Sequence, residues 1–355
     1  MGELRIARSS PLDGTAGSFG MVGRTPPMLE LYRRIEMSAP TDTVVLIEGE
    51  TGAGKELVAR ALHRESRRAD GPFVAVNAST IPEALFESEL FGHVKGAFSG
   101  AHEDHGGLAA AAQDGTLFID EIGELPRANQ AKLLRFLDTR EIRPVGGVKE
   151  RSVDLRVLCA TNRDLQSAVE ERSFRADLFY RLRAIWLRVP SLRERRGDLP
   201  LLVAHFLREL CLRHRRPVPA VSAEAMERLL AYRWPGNVRE LKHELAQAVV
   251  LTPPGLEIGP QALTACVRGA AAGAGPPAGT VEPPSLTACR RQAESEAIVS
   301  ALHRFGWNVS AAAQVLGISR VGLTRKLKAL GIRRPGRAGV TRTNGIPTAT
   351  PRFSL

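Results

Sequence analysis

Two short motifs carry the residues with which this chain could bind and cleave a nucleoside triphosphate. The first is Gly49-Glu50-Thr51-Gly52-Ala53-Gly54-Lys55. Glycines let a backbone wrap closely around an anion with several N–H groups pointing inward, a following helix adds the positive end of its dipole, and Lys55 supplies a mobile cation for the outer phosphates. The second is Gly115-Thr116-Leu117-Phe118-Ile119-Asp120-Glu121, an apolar run that ends in two carboxylates. Asp120 can hold magnesium, directly or through water, while Glu121 is placed to orient and polarise an attacking water. The pair predicts hydrolysis rather than binding alone. Glu56 occupies the position where Ser or Thr usually ligates magnesium in a P-loop, which argues against a generic GTPase.

These motifs need strands and helices to hold them. Val44-Val45-Leu46-Ile47 before the glycine loop and Glu56 to Leu62 after it predict strand, loop and helix. Further β-rich runs, Phe73 to Asn77, Thr116 to Asp120, Leu155 to Thr161 and Ile185 to Val189, alternate with helical patterns. That alternation predicts an α/β domain over residues 21–190, a mainly parallel sheet with helices on both faces. Residues 191–252 turn helical and predict a small attached subdomain. The Ser- and Gly-rich residues 1–20 read as a disordered leader, too short for a sensory domain, and the Pro-, Gly- and Ala-rich residues 253–284 as a flexible linker. Residues 285–333 predict three short helices, and 334–355 a disordered basic tail.

Composition narrows the class. No apolar run approaches the roughly eighteen residues of a membrane span, and the N-terminus has no apolar signal region, which predicts a soluble, cytoplasmic protein without a membrane partner. Cys159, Cys211, Cys266 and Cys289 are far apart and form no CxxC pair, so neither a zinc site nor a disulfide framework is indicated. The net charge of +11 is concentrated: residues 285–355 hold twelve Lys or Arg against Glu294 and Glu296. Such a segment predicts a polyanionic partner, with nucleic acid ahead of membrane.

The stretch Glu89-Leu90-Phe91-Gly92-His93-Val94-Lys95-Gly96-Ala97-Phe98-Ser99-Gly100-Ala101 resembles the signature loop of bacterial enhancer-binding proteins, the AAA+ ATPases that activate RNA polymerase carrying sigma-54. The resemblance runs from about Val22 to Ile332. It implies an AAA+ P-loop fold with a helical lid, and ATP with Mg2+ as cofactors. Gly49 to Lys55 would be the Walker A loop, with Glu56 normal after it, and Asp120 and Glu121 the Walker B pair, Asp120 serving the metal. Asn77 would hold Glu121 in check between cycles, Thr161 and Asn162 would form sensor I, and Arg239 sensor II. Arg175 and Arg181 would be paired arginine fingers reaching a neighbour, which implies a homo-oligomeric ring, hexameric as in the family and able to form from dimers. Gly96, Ala97, Phe98, Ser99, Gly100 and Ala101 would contact sigma-54. Taken without the resemblance, this segment reads first as a tight turn with Phe98 tucked into the core.

Three differences from the family bear on that coupling. Ser99 stands where Thr is usual, Val94 where Glu is common, and Asp104-His105 replace a basic pair. An expected alternative is therefore a regulator of the same lineage uncoupled from sigma-54; another is an ATP-driven motor acting on nucleic acid.

The C-terminal helices resemble the Fis-type helix-turn-helix. Ser319 would cap a recognition helix whose Leu323, Leu327 and Leu330 face the core. Ser319, Arg320, Thr324, Arg325, Lys326 and Lys328 would then meet double-stranded DNA at upstream enhancer sites, Arg320 and Arg325 foremost. With no receiver or ligand-sensing segment in view, control is expected from a regulator protein in trans, from expression level, or from a further domain.

Overall fold

The computed structural model describes residues 18–213, 215–270, 298, 309, 313 and 320–330. They fall in two compact units, one within Met1–Ala274 and one within Gly275–Leu355. The first contains strands β1 (Val45–Glu48), β2 (Phe73–Asn77), β3 (Thr116–Asp120), β4 (Glu141–Ile142), β5 (Arg151–Ser152), β6 (Arg156–Thr161) and β7 (Ile185–Arg188). Five of these form one sheet in the order β2-β3-β6-β1-β7, every pair parallel. The two-residue strands β4 and β5 make a separate antiparallel hairpin.

Parallel strands covered on both faces read as continuous apolar runs, and all six residues of β6 are buried. Alternate residues along one strand feed opposite cores. Leu46, Leu117, Ile119, Val157 and Cys159 pack with residues of helices Phe86–Phe91, Arg127–Thr139, Leu165–Glu170 and Ala176–Leu182. Val45, Ile47, Phe118, Leu158 and Leu187 pack on the other side with residues of helices Pro26–Ser38 and Lys55–Arg64. This is the α/β architecture expected from the sequence, and it brings the C-terminal tips of β1, β3 and β6 together.

A third core belongs to the lid, helices Leu199–Arg213, Ala223–Ala231 and Asn237–Leu251, around Leu202, Phe206, Leu229, Trp234, Leu241 and Leu245. Two expected boundaries shift. Residues 253–270, expected in the linker, fold onto the lid: Ile258 bridges to Val221, and Leu263 and Val267 are buried in its core. Apolar residues spaced among Pro and Gly supply what average composition concealed. Ser18–Gly20, expected in the leader, form a 3-10 turn whose Phe19 carbonyl accepts from Arg64 Nη2 at 2.7 Å and whose Phe19 ring meets Tyr32 edge-on.

In the second unit, helix Arg320–Leu330 matches the expected recognition helix, with Leu323 fully buried. Ile298 and Ala313 are helical and buried as well. Ser319, the side chains of Lys328 and Leu330, and the remaining residues of the expected second helix and basic tail lie outside the described residues. Among the described residues no helix is long and apolar enough to cross a membrane.

Candidate active site

Strand β1 ends at Glu48, and the next residues turn into a loop that only glycine accommodates at two points: Gly52 lies at φ +76° and Gly54 at φ +111°, both left-handed. Gly54 caps helix Lys55–Arg64, so the helix N-terminus and its free N–H groups face the cavity above the strand tips. That cavity holds about 510 Å3 and is lined by Thr51 to Glu56, by Asp120 and Glu121, and by Arg239 of the lid. The sequence-predicted glycine loop and carboxylate pair therefore share one site.

Lys55 is 7% exposed; its Nζ donates to the Gly49 carbonyl at 3.0 Å and stands 3.6 Å from Glu121 Oε1. Glu121 adopts left-handed backbone angles, φ 53° and ψ 46°, which cost a non-glycine residue on the order of 1–2 kcal/mol and turn its carboxylate back over the loop. There Glu121 Oε2 accepts from the backbone N–H of Asn162 at 3.2 Å, while Asn162 Nδ2 donates to Thr51 Oγ1 at 2.9 Å. Asp120 Oδ1 accepts from the Glu121 N–H at 2.9 Å. Burial pushes the Asp120 carboxyl above its ordinary value, aided by the charge of Glu121 and opposed by that hydrogen bond and by Lys55. A half-buried hard oxygen donor in a phosphate-shaped cleft suits a magnesium ion that takes its other ligands from phosphate and water.

Thr161 is fully buried, and its Oγ1 accepts from Arg163 N at 3.0 Å. It shapes the turn at the tip of β6, and of the two sensor I residues it is Asn162 that reaches the loop. In this structure Asn77 and Glu121 share no hydrogen bond. Asn77 pairs in register with Asp120, and its Oδ1 accepts from Ser79 N and Ser79 Oγ at 2.9 and 2.7 Å. An asparagine followed two residues later by serine closes a local turn through its oxygen, a turn in which its Nδ2 donor takes no part. Glu56 turns outward and pairs with Arg60 one helical turn on, at 2.7 Å.

The lid clasps the loop through backbone as well as side chains. Val238 and Arg239 donate their N–H groups to the Gly52 carbonyl at 3.1 and 3.3 Å. Asn237, fully buried at φ 53°, donates to Glu50 Oε2 and the Thr51 carbonyl, both at 3.1 Å, and accepts from Leu192 N at 2.8 Å. Glu50 also pairs with Arg193; partial burial works against its charge, but Arg193 and Asn237 outweigh that and hold its carboxyl below the usual range.

Several lining residues were not legible as site residues. Met21, Val22, Met28, Leu31, Leu202 and Phe206 line the cavity with apolar side chains, as a flat base requires. Arg195 also lines it, with Nη2 donating to the Ala53 carbonyl at 3.1 Å. These residues come from three separate segments and carry no spacing signal.

Neither expected finger lines this cavity. Arg175 pairs with Asp177 at 2.7 Å, and Arg181 with Asp138 at 3.0 Å, both on the subunit's own surface.

The segment Gly96–Ala101 is an exposed double turn rather than a core turn. Gly96 and Gly100 are left-handed, Gly96 N donates to the Ala101 carbonyl at 2.8 Å, and Phe98 is 36% exposed with its ring edge-on to His93 at 5.0 Å. Ser99 is exposed, and Ala97 packs against Gly146 of the β4–β5 hairpin. Asp104, where a basic residue was expected, accepts from Lys95 N at 2.7 Å and ties the loop's two arms. On the helix of the second unit Arg320, Thr324 and Arg325 are exposed, and Thr324 Oγ1 donates to the Arg320 carbonyl at 2.9 Å. Lys326 is half-buried.

Comparison with known proteins matches residues 21–188 to the Sigma-54 interaction domain, 193–279 to the AAA+ ATPase lid domain, and 290–330 to the Bacterial regulatory protein, Fis family. Transcriptional regulatory protein ZraR of Escherichia coli K12 is 43% identical over 330 residues, covering 92% of this chain and 73% of that protein. Response regulator protein PilR of Pseudomonas aeruginosa is 44% identical over 326 residues, 92% of this chain and 72% of its own length. The crystal structure of NtrX from Brucella abortus in complex with ATP superposes with a TM-score of 0.66 at 36% identity, covering 90% of this chain and 70% of that one. With a P-loop ATPase domain, its lid and a Fis-type DNA-binding domain in that order, the chain belongs to the family of sigma-54-dependent transcriptional activators.

Proposed function

We propose that this activator assembles into a ring, a hexamer that can form from dimers, and spends ATP hydrolysis on remodelling sigma-54 RNA polymerase from the closed to the open promoter complex. The carrying observation is the chain of contacts that runs from Lys55 to Glu121 in the 510 Å3 cavity and on through Asn162 to Thr51, while neither Arg175 nor Arg181 lines that cavity. Each subunit would then supply the loop, Lys55, Arg239 and the base, and its neighbour the finger arginines.

In this reading Lys55, the loop N–H groups and Arg239 hold the phosphates, and Glu121 orients the attacking water. Asp120 would hold Mg2+, whose charge screens the phosphate oxygens when bound. Asn162 senses the γ-phosphate through the hydrogen bonds that tie it to both Glu121 and Thr51. Arg175 and Arg181 reach the neighbouring nucleotide. The gain is delivered at Phe98 and Ser99, which grip sigma-54 when the loop rises. Residues 21–190 and a lid reaching at least Arg268 form the motor, and residues 285–333 read enhancer DNA through Arg320, Thr324, Arg325 and Lys326, with Ser319 and Lys328 beside them. A regulator protein acting in trans would set when the ring forms.

In vitro transcription from a sigma-54 promoter tests this. The wild type should give open complexes only with hydrolysable ATP, and Lys55→Ala and Glu121→Gln should give none. Open complexes formed by either variant would refute it.

A further inference from the structure

Helix Arg127–Thr139 touches three parts of the machine. Near its start, the fully buried Gln130 donates to the Leu125 carbonyl, just beyond the Ile122–Glu124 turn that follows Glu121, at 2.8 Å. The same Gln130 accepts from the backbone N–H of Arg175 at 2.9 Å. At its other end Arg181 is seated by one edge of its guanidinium: Nε meets Asp138 Oδ1 at 3.0 Å and Nη2 donates to the Leu137 carbonyl at 3.1 Å. About half of the Arg181 side chain, 48%, stays exposed. Beyond the helix, Arg140 at φ +58° leads into β4 and the hairpin whose Val145 donates to the Gly92 carbonyl and accepts from Val94 N at 2.8 and 3.1 Å. That hairpin holds the base of the Gly96–Ala101 loop.

We propose that Asp138 is a positioning residue for the finger Arg181, fixing it to the end of the helix that leads to the polymerase-contacting loop. The inference rests on the reading that Arg181 acts on a neighbour's nucleotide. Its physical basis is the contest for the guanidinium at this point. Arg140 stands close by as a like charge: burial first, and then the charge of Arg181, hold Arg140 below the usual guanidinium range. The Asp138 carboxylate and the Leu137 carbonyl hold one edge of the Arg181 guanidinium and leave the rest of the side chain exposed, so that the ordering cost of a flexible arginine is met before the neighbour's phosphate arrives. Because the same contact ties the finger to helix Arg127–Thr139, occupation of one subunit's site would pull on the loop of the next.

An exposed ion pair adds little to fold stability, so removing Asp138 should leave the domain intact. Steady-state ATPase of the full chain at ring-forming concentration separates the possibilities. Arg181→Ala should lower kcat by about a hundredfold or more. Asp138→Ala should lower it by about tenfold with KM for ATP and the protein-concentration midpoint unchanged, Asp138→Glu should recover most of the rate, and Asp138→Ala in the Arg181→Ala background should cost nothing further. Multiplying losses in the double variant, a purely thermal destabilisation, or a wild-type rate for Asp138→Ala would each overturn the positioning role. A wild-type rate for Arg181→Ala would instead overturn the finger reading beneath it.

Discussion

Asn162 Nδ2 donates to Thr51 Oγ1 of the glycine-rich loop at 2.9 Å, while the Asn162 backbone N–H donates to Glu121 Oε2 at 3.2 Å. One residue at the tip of β6 thus bridges the glycine-rich loop and Glu121.

Removing the bridge should therefore act on turnover more than on binding. Asn162→Ala is expected to lower kcat by about tenfold or more with a smaller change in KM, and Thr51→Val, which deletes only the accepting oxygen, to reproduce part of that loss. Steady-state ATPase kinetics decide it; equal rises in KM for both variants with kcat intact would mean that the bridge serves binding alone.

Gly52 has a sharper requirement than its place in a glycine-rich loop suggests. A Cβ there would lie 2.3 Å from the Gly236 carbonyl oxygen, at a φ of +76° that other residues resist. Gly52→Ala should push the lid from the loop and weaken ADP binding by about tenfold, roughly 1.4 kcal/mol, in a fluorescent-nucleotide titration. Unaltered affinity would show that the lid yields without cost.

Phe98 is 36% exposed and its ring meets His93 edge-on. Phe98→Ala should leave ATPase within about twofold of wild type, because a surface truncation away from the nucleotide costs little stability. Nucleotide-dependent capture of isolated sigma-54, followed by pull-down, should be lost. Retained capture would move the contact elsewhere on the loop.

For the second unit, Arg320→Ala and Arg325→Ala are expected to weaken enhancer-DNA binding by about 1–3 kcal/mol if they read bases; a residue that meets phosphate should instead lower the salt slope by about one unit. Filter binding across a salt series separates the two outcomes.

The sequence disclosed the chemistry more completely than the assembly around it. Glycines at fixed spacing before a helix and two acids after an apolar run have few other uses, so Gly49 to Lys55, Asp120 and Glu121 were legible, as were all five strands of the main sheet. The local turn at Asn77 was not legible, because strand position does not reveal that a Ser two residues on engages its oxygen. The apolar wall of Met21, Val22, Met28, Leu31 and Phe206 was hidden because ordinary core residues from distant segments converge only in the folded chain. Residues 253–270 were hidden in the opposite way: Ile258, Leu263 and Val267 close the lid core from within a run whose average composition reads as linker.

The hydrogen bonds from Val238 and Arg239 to the Gly52 carbonyl have a kinetic meaning as well. If this loop cradles the phosphates as proposed, a lid fastened to it would swing open only as the cradle itself loosens. Product escape and the reset of the proposed motor would then be one event, and the residence time of ADP would set the shortest interval between successive strokes.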